Sequence, residues 1–232
     1  HTLNTSFGFF SQEALVTQLG LLVTDEIREL RDKESDYFVD LTEKPEKFCA
    51  GSLRIANPML RMIDQLTGYW PEEGDAGLGR IRARQTVDPD AWYFKAHFFQ
   101  DPVQPGSLGL EALLQLLQCY MIEKGLDAGL KEPRFEAIAM NEDMIWKYRG
   151  QVVPSKEFVT TELEITKVVR DENSIVAIAK GNLWCDGLRI YSVENMAMRI
   201  TDGAFPKTTI TSSQLKDADP TGESLKKILK SD

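Results

Sequence analysis

The sequence YFKAHFFQDPVQPGSLGLEALLQLLQ, residues 93–118, decides how this chain is read. It holds His97, the one histidine besides His1. Pro102 and Pro105 follow and stiffen a short loop that ends at Gly106, because each proline ring fixes its own φ. From Ser107 to about Glu123, the residues Leu108, Leu110, Ala112, Leu113, Leu114, Leu116, Leu117 and Met121 leave almost no polar face. A helix that is apolar all round is a buried helix. Gly106 and Ser107 open it and Gly125 closes it. Inside it stand one carboxylate, Glu111, and one turn further an amide, Gln115.

Something must wrap such a helix. Runs at 135–140, 145–153, 158–169, 175–184 and 188–200 are rich in Val, Ile, Thr, Tyr and Trp, the residues that favour strands. Asp171-Glu172-Asn173 and Asp186-Gly187 sit where hairpin turns belong. Residues 78–85 alternate and read as a further strand. One long buried helix wrapped by an antiparallel sheet is an α+β architecture, a hotdog in outline.

The flanks read differently. Val16, Leu19, Val23, Ile27 and Leu30 recur at helical spacing, so residues 12–33 read as one helix. Residues 36–47 are charged, carry Pro45 and read as loop. Asn57-Pro58 reads as a helix start, continued by Met59, Leu60, Ile63 and Leu66 and ended by Gly68. Residues 1–50 are therefore expected to be an N-terminal helical extension or linker and 51–203 the main domain. Residues 204–232 are expected to be a tail, with one short helix at 224–229.

Composition narrows the function. The 232 residues suffice for one sizeable core. A net charge of −9 argues against a duplex nucleic-acid binder. Cys49, Cys119 and Cys185 form neither a disulfide framework nor a metal-ligand pattern, which suits a reduced, cytoplasmic compartment. With two histidines and three scattered cysteines, no metal cluster is expected. No apolar run reaches the roughly 18–20 residues that span a bilayer, and no signal peptide is legible.

The residues of the central stretch suit acid–base chemistry. Histidine is the usual general base near neutral pH, and a stiff loop can hold its ring in one orientation. Apolar surroundings favour the neutral form of a carboxyl, so an acid among leucines is suited to give a proton. Gln115, four residues on, can orient that carboxyl. The Gly106 N–H, at a helix N-terminus, can point at a carbonyl oxygen. Each has a plainer reading: a satisfied core histidine, a glutamate placed by the helix dipole, a glycine needed only for the turn.

Read together, His97-Phe98-Phe99-Gln100-Asp101-Pro102-Val103-Gln104-Pro105-Gly106-Ser107-Leu108-Gly109-Leu110-Glu111-Ala112 resembles the active-site signature of the FabA-type 3-hydroxyacyl-[acyl-carrier-protein] dehydratases. Residues 88–94 (DPDAWYF) and 150–154 (GQVVP) resemble two further segments of that family, and the resemblance runs over roughly 53–201. It implies a hotdog that works as a homodimer or as a pseudo-dimer with another hotdog, with a site at the interface. His97 would be the base and Glu111 the acid, with the Gly106 N–H on the thioester carbonyl. The Val103 carbonyl would steady the imidazole and Gln115 the acid. The reaction implied is loss of water from a 3-hydroxyacyl thioester, giving the trans-2-enoyl thioester. No cofactor is expected; the substrate rides on the phosphopantetheine of acyl carrier protein, the expected partner. The dehydratase/isomerase branch usually has Asp at Glu111 and Cys at Ser107, so dehydration is expected without isomerisation. The flanks look like linkers of a fatty-acid, polyunsaturated fatty-acid or polyketide synthase. Two other readings stay open: a non-catalytic hotdog that only dimerises, and a hotdog thioesterase.

Overall fold

In the computed structural model, residues 20–136, 139 and 142–203 are described. The helix at the centre, Gly106–Glu123, has good helix formers and a single β-branched residue, Ile122. It ends in a Schellman motif: Gly125 takes φ +64°, its N–H donates to Ile122 O (3.1 Å), and Leu126 N–H donates to Met121 O (3.0 Å). Leu113, Leu116, Leu117, Cys119, Tyr120 and Met121 are fully buried, so the helix has core on most sides.

Around it runs an antiparallel sheet of eight strands among the described residues. In chain order these are β1 (Val39–Asp40), β2 (Gln65–Trp70), β3 (Arg80–Thr86), β4 (Pro133–Phe135), β5 (Ile145–Tyr148), β6 (Phe158–Arg170), β7 (Ser174–Cys185) and β8 (Leu188–Asp202). The helices are α1 (Asp25–Asp32), α2 (Glu46–Cys49), α3 (Trp92–Ala96) and α4, the central one (Gly106–Glu123). The order across the sheet is β1-β2-β3-β6-β7-β8-β4, with β5 also on β8. This is a hotdog fold.

The hairpin from β7 to β8 turns on Asp186 (φ +45°) and Gly187 (φ +80°), the two positive angles that a tight primed turn needs. Asp186 Oδ1 also accepts the N–H groups of Glu157 (3.0 Å) and Phe158 (2.9 Å), tying that turn to the start of β6. No helix among the described residues is long and apolar enough to cross a membrane.

Several local expectations need correction. Residues 20–24 are not helical: Gly20 takes φ +66°, and the helix starts at Asp25, where Thr24 Oγ1 accepts the Ile27 N–H (3.4 Å). Residues 12–19 of the expected helix lie outside the described residues. The segment 36–47 is not simply loop; it contains β1 and enters α2, and Leu41 and Phe48 are buried in the same core as α4. After Asn57 there is a single turn, with the Leu60 and Arg61 N–H groups on Asn57 O (2.9 and 3.0 Å), and then strand β2. Met59, Leu60, Ile63 and Leu66 keep helical spacing, but pairing with β3, Leu66 opposite Ala83, makes 65–70 a strand. Of the strand expected at 135–140, Phe135 lies in β4 and residues 137, 138 and 140 lie outside the described residues; the one expected at 145–153 is shorter, as β5. The expected tail at 204–232 lies outside the described residues.

On the face away from α4 the sheet carries charge. Glu162, on β6, is wholly buried. Its Oε1 accepts from Asn182 Nδ2 (2.8 Å) and Trp184 Nε1 (3.1 Å). Residues 20–33 cross this face. Arg189 donates to Leu22 O (2.6 Å), and Arg82 donates to Arg31 O (2.6 Å) and Lys33 O (2.7 Å). Arg31 donates to Gly187 O (3.1 Å) and lies over the Trp184 ring (4.9 Å). No residue of α1 is buried, so these charge-assisted bonds rather than apolar area hold it.

Burial pushes the Glu162 carboxyl from 4.5 up to about 7, against its two hydrogen bonds and the nearby Arg82 and Arg189. The folded chain then keeps a proton that the unfolded chain loses near the ordinary value. Stability from this group is full below about 4.5, falls as pH rises toward 7 and levels off, by at most ~3 kcal/mol. Glu162→Gln should abolish that decline: relative to wild type, its melting temperature should improve steadily from pH 5 to pH 7.5. A pH-independent difference between the two would contradict this.

Candidate active site

His97 caps the C-terminus of α3, its N–H donating to Tyr93 O (3.0 Å). Its ring Nδ1 lies 3.0 Å from Val103 O. A carbonyl can only accept, so Nδ1 donates, and in the neutral tautomer this bond selects Nε2 holds the free lone pair. The Phe98 ring lies against the imidazole, centroids 3.9 Å apart. Between His97 and Val103 the chain takes a positive φ at Gln100 (+58°). The loop is fastened at Val103, whose N–H donates to Asp101 O (2.9 Å), and at Gln104, whose N–H donates to Val152 O (2.9 Å). Val152 belongs to the GQVVP segment singled out above.

The loop delivers the chain into α4 at Gly106. Among the described residues the N–H groups of Gly106 and Ser107 have no acceptor; the first to be used is that of Leu108, on Pro105 O (2.9 Å). Two adjacent free amides at the positive end of an 18-residue helix form a receptor for a carbonyl oxygen that gains negative charge. The Gly106 carbonyl is fixed from outside by the Tyr191 hydroxyl (3.1 Å). Burial holds that hydroxyl well above its ordinary titration range, so it remains a donor. Tyr191 packs with Trp146 and Tyr148 of β5, centroids 5.6 and 5.0 Å away.

Glu111 is half-buried, one turn into α4. Its Oε1 accepts from Gln115 Nε2 (2.8 Å). Gln115 is wholly buried and its amide is fully used: Nε2 also donates to Leu60 O (2.8 Å), and Oε1 accepts the Met62 N–H (2.8 Å). One side chain thus orients the acid and pins the segment before β2. Among the described residues no hydrogen bond or ion pair joins His97 to Glu111. The chain builds two half-sites, one of His97, Val103 and Gly106, the other of Glu111 and Gln115.

Large apolar side chains lie exposed beside both: Met59 (71%), Phe98 (56%) and Phe99 (90%), with Leu60 and Trp92 partly so. The Trp92 indole N–H donates to Met59 O (3.0 Å), which links the two groups. Sequence reasoning missed Tyr191, Trp146 and Tyr148, and missed that Gln115 reaches residues 60–62. The aromatic run Trp146-Lys147-Tyr148 was the available signal.

The fold is a hotdog whose buried helix begins at a histidine loop and carries an acid one turn in. The family model for the FabA-like domain matches residues 55–194, and the chain belongs to that family. It is similar to one component of the polyunsaturated fatty acid synthase of Thraustochytrium sp., 33% identical over 156 residues; the match covers 66% of this chain and 10% of that protein. The chain thus spans about a tenth of that relative's length. Among solved structures it resembles the dehydratase heterocomplex ApeI:P from Xenorhabdus doucetiae (13% identity, TM-score 0.39, 70% of this chain and 93% of that one). It also resembles a mutant thioesterase from Pseudomonas aeruginosa (11% identity, TM-score 0.36, 60% and 81%).

The half-site geometry has a packing requirement that can be measured. A Cβ at Gly109 would run into the Tyr191 ring, whereas one at Gly106 would meet its nearest neighbour, Trp146, at 3.4 Å. Gly109→Ala should therefore destabilise the fold by about 1–3 kcal/mol through overpacking. Gly106→Ala should cost clearly less in the same thermal melts. Equal losses would contradict the placement of Tyr191.

Proposed function

We propose that this domain removes water from a 3-hydroxyacyl thioester carried on acyl carrier protein, giving the trans-2-enoyl thioester. The observation that carries the reading is the bond between His97 Nδ1 and Val103 O, because it leaves Nε2 as a base in a fixed orientation. His97 Nε2 takes a proton from the carbon next to the thioester. The Gly106 N–H bonds the thioester oxygen as it gains enolate character. Glu111, held by Gln115, gives its proton to the 3-hydroxyl as the C–O bond breaks, and water leaves. His97 ends protonated and Glu111 ionised; one proton returned from base to acid through solvent resets the site. None of these steps calls on a metal or a redox cofactor.

The two half-sites act on one substrate by coming from two hotdogs; for the isolated chain the second is another copy. The exposed Met59, Phe98 and Phe99 beside both half-sites favour this, since such a patch on a lone chain would face water. The larger protein is read as a fatty-acid, polyunsaturated fatty-acid or polyketide synthase, on the strength of the Thraustochytrium relative. A thioesterase would need an activated water and a carboxylate without the His97 loop, whereas here that loop holds a base at Nε2.

His97→Ala and Glu111→Gln should each lower dehydration by roughly 10²–10⁴-fold, read as loss of enoyl absorbance, with melting temperatures near wild type. A His97→Ala chain that keeps most of its activity would sink the assignment. Glu111→Asp should stay within about tenfold of wild type, because the acid survives and only its reach changes. Product analysis after long incubation with a ten-carbon substrate should show the 2-enoyl thioester and little 3-cis isomer. The reason is that Glu111 is one methylene longer than the aspartate usual in the isomerising branch, and a γ-carbon proton transfer is sensitive to a small displacement of the acid. A substantial 3-enoyl fraction would show that idea to be wrong.

A further inference from the structure

Among the described residues, five side chains carry an enclosed nitrogen or oxygen with no hydrogen-bond partner: Arg61, Gln104, Thr161, Glu162 and Thr201. Gln104 alone stands inside the histidine loop, between the carbonyl that holds His97 and the free N–H of Gly106. It is 3% exposed. Its backbone is occupied, with the N–H on Val152 O, but its carboxamide is not: Oε1 accepts nothing and Nε2 donates to nothing among the described residues. An unmade hydrogen bond on a buried polar group costs about 1–3 kcal/mol. An apolar residue of the same length would avoid that cost, so packing alone does not account for an amide here.

We infer that the Gln104 carboxamide is a substrate-binding group, which pairs with an amide of the pantetheine arm beyond the thioester sulfur. The inference rests on the thioester reading above. A primary carboxamide offers both a donor and an acceptor, so it can pair with whichever end of a trans amide, N–H or C=O, is turned toward it. The place also fits. Gly106 receives the thioester oxygen, and two residues of chain back to Gln104 span at most about 7 Å. Two methylenes separate the thioester sulfur from the first amide of the arm, a comparable reach. A half-turn about the last side-chain bond exchanges the oxygen and nitrogen ends, so either can meet the arm.

The test uses one 3-hydroxyacyl group on two leaving arms, pantetheine and a plain ethyl thiol that has no amide. Gln104→Met keeps length and volume and removes both polar atoms. It should lower kcat/KM for the pantetheine thioester about tenfold, the worth of one hydrogen bond, mostly through KM. For the ethyl thioester the change should be under about twofold. Its melting temperature should equal or exceed that of wild type, because the enclosed orphan is gone. Equal losses on both substrates, or a marked loss of stability, would overturn the inference and leave the dehydratase reading intact. If the wild-type chain dehydrates neither thioester, that reading falls. Calorimetry with the matching non-reacting thioethers then decides the contact. Tighter binding of the amide-bearing arm that is lost in Gln104→Met supports it, and equal binding by wild type and variant refutes it.

Discussion

Burial of α4 on nearly all sides is the constraint on which the rest of this structure depends. A helix in that position can carry a polar side chain only if its hydrogen bonds are made within the protein, and Gln115 meets the condition with three of them. Those bonds tie Glu111 and residues 60–62 to one point. The same burial leaves the start of the helix as the place where its backbone meets a ligand. Gly106 and Ser107 present free N–H groups there, and the loop before them holds an imidazole with its base side open. The chemistry proposed for the domain is thus placed at the points where the helix is least covered.

The outer face of the sheet follows a different logic. It is covered by residues 20–33, which bury little and are held by arginines reaching backbone carbonyls. Those arginines lie around Glu162, a carboxyl that burial raises to about 7. Part of the stability of this face is exchanged for an ordered charge network, which specifies how the strap crosses the strands.

How much of this could be read from the sequence depended on distance along the chain. The loop and α4 were legible because prolines, glycines and an unbroken apolar run act locally. So were β6, β7 and β8, through long β-branched runs and the Asp186-Gly187 turn. Within the site, the Val103–His97 and Glu111–Gln115 contacts join residues six and four apart, within reach of a spacing argument. Tyr191 on Gly106 and Gln115 on Leu60 join residues 85 and 55 apart, and no local pattern encodes them. The misread segments failed for the same reason. Ile63 and Leu66 keep a helical spacing, and only pairing with β3 makes 65–70 a strand. Residues 20–24 fit a helical period but are bent at Gly20 to meet Arg189.

The central claim is that one working site takes His97 from one hotdog and Glu111 from another. Mixing His97→Ala and Glu111→Gln chains that carry different affinity tags, and isolating the mixed dimer, tests it directly. In a two-fold dimer the mixed species has one complete site and one site lacking both groups, so an unfractionated equal mixture should recover about a quarter of wild-type activity and the purified mixed dimer about half. A purified mixed dimer no more active than either parent, or a wild-type chain that is active as a monomer, would contradict the account.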